Sequence, residues 1–113
     1  HLHTSLSCQE AVRLFQRRKG IKPLKELIYM EVLSATDWST NPSFQKFSPN
    51  LFIEIGEEGL HKKIEALSMY RKVMREYPHP RSIESLRGLA AYRGSQAAYI
   101  YAEAFESAFR RDL

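Results

Sequence analysis

The sequence predicts an α/β fold with its elements in the order α-β-loop-β-α-α. Three observations carry that expectation. Apolar residues recur at steps of three and four over residues 7–18, 57–77 and 82–110, the period of a helix with one face against a core. Two runs between them, 24–34 (LKELIYMEVLS) and 51–55 (LFIEI), are nearly continuously apolar and of strand length. A polar, proline-bearing stretch separates these two runs, with the punctuation of a loop.

The first helix is expected over 7–18, with Cys8, Ala11, Val12, Leu14 and Phe15 inward and the lone thiol packed. Ser7 and Glu10 have the spacing of a capping box, and Arg17, Arg18 and Lys19 precede Gly20 where a helix dipole favours cations. In the strand at 27–33, Glu31 is costly to bury alone and should have a cationic or hydrogen-bonding partner. The loop carries Trp38, Phe44 and Phe47, too apolar for a free linker, so it either folds over the core or walls a pocket.

The long helix expected over 57–77 has Leu60, Ile64, Leu67, Tyr70, Val73 and Tyr77 along one face. Glu57 and Glu58 begin it, Arg71, Lys72 and Arg75 lie near its end, and Pro78 and Pro80 stop it. Ser82 caps a last helix running to about residue 110, which Gly94 loosens or bends midway. Its alanines at 90, 91, 97, 98, 102, 104 and 108 imply a close approach to a neighbour.

Composition bounds the function. At 113 residues the chain is one domain, 1–113, or half of one, and can bury roughly 65% of its unfolded surface. A net charge of +4 permits an acidic partner without demanding one. A single cysteine excludes an internal disulfide and fits a reducing compartment. No run has the ~18 apolar residues that span a bilayer, so the chain reads as cytoplasmic with no membrane partner. Two strands make a poor sheet, which points to the second half of a larger α/β domain or to a partner chain that completes it.

Three ordered blocks, LKELIYMEVLSATDW, FSPNLFIEI and KKIEALSMYRKVMREYPHPRSIESLRGLAAYRGSQAAYIYAEAF, resemble the C-terminal half of the LmbE-like (PIG-L) N-acetylglucosamine deacetylases. The HPRS…YRGSQ…YAEAF stretch is the most specific part. The resemblance implies the C-terminal part of a Rossmann-like three-layer fold and a zinc-dependent hydrolase acting on an N-acetyl sugar conjugate. In that family the metal polarises the acetamide carbonyl and activates water, with an aspartate as general base. The family's A-H-P-D-D-E ligand segment is absent from these residues. A further histidine ligand falls, by the same resemblance, at Ser5 or Thr4, neither a good zinc ligand.

His3, with His1, is the remaining imidazole near that place and a weak metal candidate, the bland reading being a solvated terminus. His79, held between two prolines, could hydrogen-bond a sugar hydroxyl or simply tie down its turn. Arg81, Arg93 and Glu103 are polar exceptions on the small-residue helix. The resemblance places them on the substrate side, while an Arg–Glu pair closing the domain accounts for them equally well. His61 reads as solvated.

Three function classes follow. The first is a deacetylase half, inactive alone, completed by an N-terminal half or a second copy. The second is a non-catalytic relative with a binding or assembly role. The third is a basic nucleic-acid-binding module, which Arg17, Arg18, Lys19, Arg71, Lys72 and Arg75 motivate, though no known reader's aromatic-basic interleaving supports it.

Overall fold

The computed structural model describes residues 2–15, 19–40 and 46–111, so His1, Arg17, Arg18 and Phe44 lie outside the described residues. The elements are α1 (Leu2–Phe15), β1 (Glu26–Met30), β2 (Leu51–Glu54), α2 (Gly56–Ser68), α3 (Ile83–Gln96) and β3 (Ala102–Arg110). The α/β class and the first five elements stand in the expected order, and a third strand ends the series. The strands form a small sheet in the order β1-β3-β2. Two compact units divide the chain, 1–29 with 107–113, and 30–106.

In the first unit, α1 begins well before Ser7, so that serine is an interior residue and not a cap. The apolar period extends back through Leu6 and Leu2, which keeps the backbone helical where a capping box was expected. Cys8 is exposed rather than packed, because the half-buried positions are Ser5, Ala11 and Val12. β1 is five residues long, shorter than the apolar run containing it. Arg111 N–H donates to the Lys25 carbonyl at 2.8 Å.

The second unit holds the core, built from Leu60 of α2, Leu86 and Ala90 of α3, and Ala102 and Ala104 of β3. β2 pairs antiparallel with the start of β3, Leu51 opposite Phe105 and Glu54 opposite Ala102. α2 ends at Ser68, far short of Pro78. There the Ser68 hydroxyl donates to the Ile64 carbonyl at 2.7 Å, and Met69 and Tyr70 tighten into bonds three residues back. Such local bonds compete with continuing the helix. Met69 to Lys72 therefore form turns, and Tyr70 and Tyr77 are exposed rather than on an inner face.

The expected last helix is a helix, a turn and a strand. Ser82 caps α3 as its sequence position suggests, its buried hydroxyl accepting from Ser85 N–H at 3.1 Å. At the other end, Tyr99 N–H reaches back to the Gly94 carbonyl at 2.9 Å, and Ala98 takes a left-handed φ of 61°. A six-to-one bond around a left-handed residue is the Schellman stop, here with alanine where glycine is usual. Ala98 is exposed, so it marks a turn and not a close helix contact. Gly94 supplies the close approach instead. A Cβ on it would meet the Tyr99 and Ile100 carbonyl oxygens at 2.5 and 2.8 Å. The chain then reverses, and Ala102 and Ala104 are buried by a strand's alternation.

Candidate functional site

Glu31, His79, Arg81, Arg93 and Glu103 fall into two places, both within 30–106. In the first, Glu31 has the partner its burial requires. Arg93 from α3 grips it as a fork, Nε to Oε1 at 2.9 Å and Nη2 to Oε2 at 2.8 Å, with both side chains about 13–14% exposed. Hydrogen bonding to Glu31 is the main cause that holds the Arg93 pKa above its ordinary value, opposed by desolvation. Arg93 also donates to Gln96 Oε1 at 3.0 Å, and its guanidinium carbon lies 5.3 Å from the Tyr92 ring centroid and 5.7 Å from that of Phe47.

Glu103 pairs not with an arginine but with Lys63 of α2. Arg93 and Glu103 do line one seam, between α3 and β3, with Glu31 and Lys63. Its free space is about 30 Å³, which suits a water and not a sugar. The Arg–Glu pair expected among Arg81, Arg93 and Glu103 therefore does not form: Arg93 pairs with Glu31, and Glu103 with Lys63.

His79 and Arg81 meet at the hinge before α3. Arg81 N–H donates to His79 Nδ1 at 3.0 Å, so the neutral ring carries its proton on Nε2. His79 N–H donates to the Glu76 carbonyl at 3.0 Å, and Ser85 Oγ to the His79 carbonyl at 3.3 Å. The Trp38 ring meets the imidazole edge-on, centroids 5.2 Å apart. The peptide bond between Tyr77 and Pro78 is cis. The imidazole does tie down its turn through Nδ1, which leaves Nε2–H as a donor.

Beside this hinge lies an open hollow of about 380 Å³, walled by Leu33 and Asp37, by Pro78 and Pro80, and by Ser85 and Tyr92 of α3. Asp37 Oδ2 accepts from Ser34 N–H at 3.0 Å, closing the 33–38 turn that brings the carboxylate here. Trp38 is 60% exposed and does not cover the core, while Asp37 before it lines the hollow. Sequence reasoning passed over Asp37, Ser85 and Tyr92. The signal for Asp37 was its place in the ATDW block.

His3 is exposed on α1. Among the described residues no group of three His, Cys, Asp or Glu side chains is placed to hold a metal, so they do not by themselves compose a zinc site. His61 is exposed, and no described helix is long and apolar enough to cross a membrane.

The chain matches no protein-family model, no curated protein and no solved structure.

Proposed function

We propose that this chain is the substrate-side half of a metal-dependent N-acetyl sugar deacetylase, in the manner of the LmbE-like enzymes it resembles. The observation that supports the reading is convergence. Leu33 and Asp37 belong to the LSATDW block, Pro78 and Pro80 to the YPHPRS block, and Tyr92 to the YRGSQ block. These segments are far apart in sequence yet wall one hollow. A sugar suits such a wall. Its C–H face can lie on the Tyr92 ring and the prolines, while Asp37 and Ser85 offer hydrogen bonds to hydroxyls.

Zinc, in this reading, supplies the activated water and the polarised acetamide, and its ligands come from the family's A-H-P-D-D-E segment, which these 113 residues lack. The chain's own residues bind and orient. Arg93–Glu31 holds α3 to the segment after β1, and His79 holds the hinge that presents the prolines. The N-terminal half of such an enzyme, or a second copy of this chain, is the partner this reading requires.

Two measurements test it. The chain alone should show no deacetylation of N-acetylglucosamine derivatives, whereas fused behind a family N-terminal half it should turn over in a zinc-dependent way. Methyl N-acetylglucosaminide should shift the Trp38 indole resonance of the chain alone, and Asp37→Asn with Tyr92→Ala should abolish that shift. A fusion that folds, binds zinc and stays inactive, together with no sugar-dependent shift, would sink the proposal.

A further inference from the structure

A feature independent of the sugar reading lies between α2 and α3. Among the nine described lysines and arginines of 30–106, four are paired with acids. Lys62 bonds Glu58, Lys63 bonds Glu103, Arg87 bonds Glu57 and Arg93 bonds Glu31. Lys46 apart, the described cations without a carboxylate partner are Arg71, Lys72, Arg75 and Arg81, all within eleven residues.

Helix capping was the structural reason to expect cations here, and the fold removes it. α2 ends at Ser68, with no basic residue in its last turn. The dipole's pull fades within that turn, so it does not account for charges three to thirteen residues further on. The loop also folds back on itself, Arg75 N–H donating to the Arg81 carbonyl at 2.9 Å, which sets these two residues side by side. Arg71, Lys72 and Arg75 are exposed. Arg81 is half-buried, and its Nε is buried with no hydrogen-bond partner. A guanidinium N–H left unmade in this way favours any small side-chain rotation that gives it an oxyanion.

We propose that the 71–81 segment binds a phosphorylated small molecule, a phosphomonoester or diphosphate, with Arg81 as its anchor and Arg75 beside it. One fork satisfies a carboxylate, as Arg93 does for Glu31. A phosphate dianion has three oxygens and two charges, and so can engage several cations at one locus. A nucleic-acid polymer needs a track of cations, but the other described cations of this unit, Lys46 apart, are neutralised by acids.

Trp38 is the chain's one tryptophan, and it touches His79, which in turn bonds Arg81 N–H, so its emission reports on the anchor. The experiment titrates the 113-residue chain with inorganic pyrophosphate and follows Trp38 fluorescence. A saturable change is expected. Arg81→Gln should weaken binding about tenfold or more, the worth of a lost charge-assisted hydrogen bond. Arg75→Gln, at an exposed position that leaves the fold intact, should weaken it severalfold, and Lys62→Gln should leave it unchanged. Phosphatidylglycerol vesicles and oligo-dT serve as the other arms. No saturable response to pyrophosphate, or equal affinity in the Arg75 and Arg81 variants, overturns the proposal. A response to vesicles or oligo-dT without one to pyrophosphate overturns it as well.

Discussion

Glu31 shows how much one buried charge can predict. A carboxylate in an apolar run must find a cation, and Arg93 answers it with a two-point fork across 62 residues of sequence. Removing one member leaves the other desolvated and unpaired. Glu31→Leu or Arg93→Met alone should therefore destabilise by about 3–5 kcal/mol, whereas the double variant should recover much of that loss. Arg93→Lys should also be costly, because an ammonium cannot keep both bonds or the placement over Phe47 and Tyr92. Urea titration of the parent chain and these four variants checks this, and additive losses in the double variant would mean that the pair is not a coupled unit. Charge pairs this far apart are legible only by half. The need for a partner is written in the apolar context of Glu31, while the partner's identity depends on the fold bringing Arg93 of α3 to Glu31, which no local pattern encodes. Glu103 illustrates the other outcome, since Lys63 rather than an arginine meets it.

Element boundaries follow short-range bonds more than period. Leu60, Ile64 and Leu67 were read from their spacing, and α2 forms around them. The same period continues through Tyr70, Val73 and Tyr77, yet the helix stops, because the Ser68 hydroxyl and two bonds to residues three back take over the chain. The stretch 97–110 misleads more deeply. Alanines suit both a thin helix face and the buried positions of a strand, so AEAF satisfies either period. A glycine in the left-handed position after Gln96 would have marked the stop, but Ala98 occupies it. That substitution of the usual residue has a cost. Ala98→Gly should stabilise by about 0.5–1 kcal/mol net, since relief of the left-handed strain exceeds the entropy that glycine adds to the unfolded chain. Gly94→Ala should destabilise by at least about 2 kcal/mol, because backbone oxygens 2.5 and 2.8 Å from the new carbon must move. Chemical denaturation of both variants reads the two signs. A destabilising Ala98→Gly would show that the residue is held by packing after all.

At the scale of the whole molecule, β3 changes the argument for a partner without removing it. The sequence offered two strands and so an incomplete sheet; β3 supplies a third and takes the central place, with β1 and β2 outside it. Both outer strands still present one backbone edge among the described residues. β1 is the more exposed hazard, with Ile28 39% and Met30 65% accessible, and β2 shows Ile53 at 46%. Outer strands in monomers are usually guarded by charges or prolines, and the middle of ELIYM has neither. A further strand laid along β1, from an N-terminal half or from a second copy, would pair its free backbone groups. The chain alone is therefore expected to self-associate at micromolar concentration, burying more than about 1,000 Å². Ile28→Lys, which places a charge on that strand without touching the core, should shift it towards the 13.2 kDa monomer. Sedimentation velocity on the two proteins decides the matter. A parent chain that already runs as one monodisperse 13.2 kDa species and unfolds cooperatively closes its own sheet edge, and the need for a partner falls with it.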